Sequence, residues 1–112
     1  SDISAAALEK GMATISGSLD RIIKKGNLSE SDKKAILGRI QTSEGLSGLK
    51  GADLVIEAAT ENVDLKLKIF SDLDKVTREG VILASNTSSI SITKIASVTR
   101  RPHLVAGMHF MN

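Results

Sequence analysis

Two short polar stretches in the second half of this 112-residue chain carry the side chains best suited to chemistry. Asn86-Thr87-Ser88-Ser89 follows the apolar run Val81-Ile82-Leu83-Ala84, and His109 stands in Met108-His109-Phe110-Met111-Asn112, at the end of a second apolar run that begins at Leu104. A histidine titrates near neutral pH, so His109 could take up a proton and return it. A hydroxyl such as Ser88 and an amide such as Asn112 offer short donors to an oxygen that gains charge. Both stretches lie at the ends of strand-like runs, which is where open α/β sheets gather ligands. Residue types alone leave the plainer readings open: a packed histidine at a strand end for His109, and turn and capping chemistry for Asn86 to Ser89. His103, beside Pro102, reads as a surface loop residue.

Composition narrows the classes of function. The chain has no cysteine and only two histidines, which argues against thiolate or histidine-based metal sites. The formal charge of +2 is small, the basic residues are scattered, and aromatics make up only 2% of the chain, too few for the stacking platforms that hold single-stranded nucleic acid. No apolar run approaches the length of a membrane span and no secretory pattern opens the chain, so the expectation is a soluble, cytoplasmic protein with one core.

The elements that must position the polar stretches follow from periodicity. Leu8, Met12, Ile15, Leu19, Ile22 and Ile23 recur at helical spacing, which predicts a helix over 1–25 with Asp2 or Ser4 as N-cap and Gly26 as the stop. Ser29, with Asp32 three residues on, opens a second helix reaching about Gly38, and the two form a hairpin. A short strand is expected over 39–42 and a loop or single turn over 43–51. From Ala52 the pattern changes to alternating strands and helices. The strands are 54–59, 81–85 and 104–110, and the helices begin near Asn62 and Ser91. Such alternation implies a parallel sheet with right-handed crossovers. The uninterrupted apolar run 81–84 reads as a strand buried on both faces. In the first of these helices Val63, Leu67, Phe70, Leu73 and Val76 face inward, while Lys66, Lys68, Asp72, Asp74 and Lys75 are expected mostly on the solvated side.

Several separated motifs in one order carry a resemblance. Glu57-Ala58-Ala59-Thr60-Glu61-Asn62, then Lys66, then Leu83 through Thr93 with its Ser-Asn-Thr-Ser-Ser core, then Arg101-Pro102-His103 and Gly107-Met108-His109-Phe110-Met111-Asn112 closely resemble the NAD-dependent 3-hydroxyacyl-CoA dehydrogenases, above all the bacterial 3-hydroxybutyryl-CoA type. The resemblance covers the whole chain. It implies an α/β fold: a partial Rossmann domain, a doubly wound parallel sheet in which 1–51 supply the helical hairpin and short strand and 52–112 the second mononucleotide-binding half. No G-x-G-x-x-G occurs, so the first strand, the Gly-rich turn and the helix that cradles a pyrophosphate are missing. The family's helical substrate and dimerisation domain would follow Asn112. The chain therefore reads as a fragment of an enzyme that is a dimer when intact. In the strand order 3-2-1-4-5-6 the loss of the first strand leaves 54–59 with an open edge, through which residues 1–112 alone are expected to associate, swap segments or aggregate.

The resemblance also assigns roles. It implies oxidation of a (3S)-hydroxyacyl-CoA to the 3-oxoacyl-CoA by NAD, with His109 as general base and Ser88 and Asn112 as donors to the substrate oxygen and near the nicotinamide. Ala58, Glu61 and Lys66 fall at cofactor-site positions near the nicotinamide ribose, although Glu61 and Lys66 could equally be solvated charges in a first helical turn. Asp2 matches the acid that binds the adenosine ribose hydroxyls and favours NAD over NADP, its alternative being an N-cap. The glutamate that orients the histidine in the family lies beyond Asn112, so the fragment alone is expected to be inactive. Two other readings stay open: a noncatalytic α/β interaction module and a related hydroxy-acid dehydrogenase.

Overall fold

A computed structural model describes residues 1–111, which fall into two compact units, one of Ser1–Gly45 and one from Leu46 onward. In the first unit α1 spans Ala5–Lys24 and α2 spans Glu30–Gly38. Ser4, not Asp2, is the N-cap of α1: its hydroxyl accepts the Ala7 N–H at 3.2 Å. At the other end Gly26, at φ +79°, reverses the chain so that its own N–H reaches the Ile23 carbonyl and that of Asn27 the Ile22 carbonyl, which satisfies two of the helix's orphan acceptors. A two-way capping box starts α2, with the Asp32 N–H on the Ser29 hydroxyl and the Asp32 carboxylate back on the Ser29 N–H. Lys33 of α2 pairs with Asp20 of α1 at 2.6 Å.

The strand expected over 39–42 does not form. Pairing begins later, in a parallel bridge between Asp2 and Glu44 flanked by hydrogen bonds from Asp2 N–H to Ser43 and from Gly45 N–H to Asp2. The partner segment is too short for more, because Ser4 already caps α1.

The second unit is a three-stranded parallel sheet in the order β1-β2-β3, with β1 Leu54–Glu57, β2 Ile82–Ser85 and β3 Val105–Gly107. Register pairs Leu54 with Ile82, Glu57 with Ser85, and Ser85 with Gly107. Helix α3, Val63–Val76, crosses from β1 to β2, and the short α4, Ile92–Ala96, from β2 to β3. Asn62 and Ser91 cap them by accepting the N–H groups of Leu65 and Lys94. Val55, Phe70, Leu73, Val81, Leu83 and Ile95 make the core. β1 is open on its outer face, where Leu54 and Ile56 remain 44% and 41% exposed, whereas in β2 only Ile82, at 43%, is open and Leu83, Ala84 and Ser85 are buried, so β2 is covered on both faces over 83–85, as the apolar run 81–84 suggested.

Two charged residues of α3 also depart from expectation. Lys66 is fully buried and Asp74 nearly so, because positions 66, 70, 73 and 74 fall on one helical stripe and share the core side with Phe70 and Leu73. Asp74 is buried against Arg101. The guanidinium donates to the Asp74 carboxylate at 2.7 Å and to the carbonyls of Asp74, Thr77, Arg78 and Val81, while the Arg100 N–H takes the other carboxylate oxygen at 2.8 Å. Burial pushes the Asp74 carboxyl up, but the Arg100 amide and the Arg101 guanidinium outweigh it and hold it below the ordinary aspartate value. The break at Arg100-Arg101-Pro102 is thus a latch over the end of α3. Among the described residues, no helix is long and apolar enough to cross a membrane.

Candidate functional site

The carboxyl ends of β1, β2 and β3 come together, and a buried carboxylate ties those of β1 and β2. Val55 and Glu57 point to the same side of β1, so Glu57 enters the protein with the core residues and is only 5% exposed. Its Oε1 accepts from Lys66 Nζ at 2.5 Å and from Ser85 Oγ at 2.8 Å, and Lys66 Nζ also donates to Ser85 Oγ at 3.2 Å. Its Oε2 accepts the backbone N–H groups of Ala59 and Thr60, at 2.8 and 3.4 Å, which ends the strand two residues earlier than its apolar run and folds 58–61 into a turn. Burial pushes this carboxyl up, while the hydrogen bonds from Lys66, Ser85 and the Ala59 amide outweigh it and hold it below the usual glutamate value.

That turn carries Glu61 to the loop after β2. Glu61 Oε2 accepts from the hydroxyls of Thr87 and Ser89, at 3.0 and 2.9 Å, and leaves Ser88 exposed between them. Thr87 Oγ1 in turn accepts the N–H groups of Ser89 and Ile90, the turn chemistry that the run of small polar residues suggested. The third strand end is laced to the second. Met108 N–H donates to the Ser85 carbonyl at 2.9 Å and Phe110 N–H to Asn86 Oδ1 at 2.8 Å, so both neighbours of His109 are tied to the end of β2 while His109 is exposed.

The residues singled out by sequence fall as follows. Ala58, Glu61, Lys66, Ser88 and His109 gather at this end of the sheet; Asn112 lies outside the described residues. Lys66 is not a solvated charge, since its ammonium is held inside the protein. Asp2 belongs to the first unit, where it is exposed and its Oδ1 accepts the Ser4 N–H at 2.9 Å. His103 is exposed in a single 3₁₀ turn, Pro102–Leu104. Sequence reasoning missed Glu57 and Ser85 as a buried polar pair. The signal was there: Glu57 lies two residues from Val55 on the inward face of β1, and Lys66 lies one helical turn before Phe70.

Residues 1–112 match the family model described as 3-hydroxyacyl-CoA dehydrogenase, NAD binding domain. Among solved structures, the chain superposes on the (S)-3-hydroxybutyryl-CoA dehydrogenase of Ralstonia eutropha with a TM-score of 0.96 and 58% identity, covering 99% of this chain and 39% of that one. It is 48% identical over 111 residues to the 3-hydroxybutyryl-CoA dehydrogenase of Bradyrhizobium diazoefficiens, covering 99% of this chain and 38% of that protein. With the probable 3-hydroxybutyryl-CoA dehydrogenase of Bacillus subtilis it shares 44% identity over 111 residues, 99% of this chain and 39% of the relative. The chain thus spans about two-fifths of the length of these relatives.

Proposed function

The chain belongs to the NAD-binding-domain family of the 3-hydroxyacyl-CoA dehydrogenases, and on that premise we propose that it is part of an enzyme that transfers a hydride between a (3S)-hydroxyacyl-CoA, chiefly 3-hydroxybutyryl-CoA, and NAD. The supporting observation is the lacing of the His109 segment to the Ser88 loop, which gives one sheet end both a proton acceptor and a hydroxyl donor. His109 takes the proton of the 3-hydroxyl during oxidation and returns it in reduction. Ser88, together with Asn112, donates to the substrate oxygen and steadies the charge that develops there.

In the second unit the donor set fits NAD: the exposed Glu61 carboxylate can accept from ribose hydroxyls, and the exposed Ser88 hydroxyl and the segment at Ala58 lie at the strand ends where such folds take a dinucleotide. Lys66 supports the site from behind, its buried ammonium committed to Glu57 and Ser85. When bound, NAD supplies the hydride acceptor. Residues 1–112 expressed alone are expected to be inactive, because the glutamate implied as the partner of His109 falls outside them.

The test is NADH formation by the full-length polypeptide that contains this segment, given (3S)- or (3R)-hydroxybutyryl-CoA. The (3S) substrate should support NADH formation and the (3R) substrate should not. No NADH with either, or equal rates with both, would contradict the proposal.

A further inference from the structure

A buried ion pair at the end of two strands needs a reason beyond stability. Taking two charges out of water costs free energy that their attraction roughly offsets, and well-packed apolar residues of the same volume commonly serve the fold as well or better. What an apolar pair could not do is accept hydrogen bonds. Glu57 Oε1 is committed to Lys66 and Ser85, which fixes the carboxylate plane and turns Oε2 toward the Ala59 and Thr60 amides. Among the described residues, no buried side-chain nitrogen or oxygen is left without a partner, so the arrangement is complete. One residue beyond Thr60, the same turn presents Glu61, whose single oxygen Oε2 holds the hydroxyls on both sides of Ser88.

We propose that Glu57 is a positioning residue for Ser88: paired with Lys66, it shapes the 58–61 turn, and through Glu61 that turn clamps Thr87 and Ser89 so that the Ser88 hydroxyl is held toward the reacting oxygen. This rests on the reading of Ser88 given above. A donor of this kind has to be held to within about 0.5 Å of its productive place, and a misplacement of about 1 Å can cost on the order of a hundredfold in rate. The loop is anchored at its ends, by Asn86 N–H on the Glu57 carbonyl and by Ile90 against the core, while the Glu61 carboxylate holds the residues on both sides of Ser88. Glu61 has one oxygen engaged in this clamp, and its role toward Ser88 is separate from any contact it makes with a ribose.

The experiment uses the full-length protein carrying the double substitution Glu57→Met/Lys66→Met, which removes both charges and keeps the volume. Three quantities are read: the unfolding midpoint, site-resolved amide hydrogen exchange, and kcat with (3S)-hydroxybutyryl-CoA and NAD. The expected result is an unfolding transition close to that of the parent, faster exchange at Ala59 and Thr60 and also at Ser89 and Ile90, and a kcat lower by roughly tenfold to a hundredfold. The Ser89 and Ile90 amides report the clamp because both donate to the Thr87 hydroxyl that Glu61 holds. Unchanged exchange at Ser89 and Ile90, or an unchanged kcat, overturns the proposal. Should the double variant not fold cooperatively, Glu61→Ala at its exposed position carries the same test: exchange at Ser89 and Ile90 should rise while Ala59 and Thr60 stay protected, and no rise overturns it. Exchange is read without catalysis. A parent enzyme that fails to form NADH therefore contradicts the functional reading, while the clamp is still judged by Ser89 and Ile90.

Discussion

Lys66 illustrates what a residue's type hides and its spacing discloses. A lysine in the first turn of an amphipathic helix reads as solvated, yet it lies four residues before Phe70, and that stripe faces the core. Burial then demands a partner, and Glu57, on the inward face of β1, supplies it. Removing one member should cost far more than removing both. Lys66→Met alone leaves the Glu57 carboxylate buried without its counter-charge and is expected to destabilise the full-length protein by about 3–5 kcal/mol, whereas Glu57→Met/Lys66→Met should cost much less. Urea unfolding of the two variants side by side checks this, and equal losses would speak against a coupled pair. That Ser88 and His109 stand exposed at strand ends was legible from the apolar runs that precede them. The buried Glu57 was not, because a single acid at the end of an apolar strand has no local pattern to mark it.

Among elements, local signals predicted best. Helices α2 and α3 start where the caps Ser29 and Asn62 place them, since a cap and the N–H it accepts lie within three residues of each other. Strand extents were harder, because a partner distant in sequence decides them. The last strand was expected over 104–110 but pairs only over Val105–Gly107, where β2 also ends. The latch between α3 and the segment before β3 was likewise hidden, since Asp74 and Arg101 are 27 residues apart. Its pH dependence has a definite sign. Because the folded Asp74 carboxyl lies below the ordinary aspartate value, its contribution to stability is full above that value of about 4 and is lost as the pH falls through the lower folded value. Asp74→Asn should therefore lower stability near neutrality and flatten the loss of stability on acidification below about pH 5. Urea midpoints measured from neutral pH downward test it; parallel curves for parent and variant would contradict the assignment.

At the scale of the whole molecule, the alternation of strands and helices after Ala52 was enough to predict a parallel sheet, and the sheet is parallel with β1 at one end of its order. What the sequence did not convey is how open the outer face of β1 is. Leu54, Ile56 and Ile82 stand open beside the unpaired edge of β1, because covering a face depends on elements that an apolar run cannot specify. An open edge with apolar neighbours is the feature through which strands recruit further strands, and the relatives are about two and a half times as long as this chain. The proposed proton transfer at His109 is therefore best measured in the full-length protein. The decisive comparison is kcat for (3S)-hydroxybutyryl-CoA oxidation by the parent and by His109→Gln, with NADH binding followed by fluorescence to confirm that the cofactor site survives. The proposed base predicts a fall in kcat of roughly a hundredfold to ten-thousandfold with NADH binding retained; an unchanged kcat would contradict it.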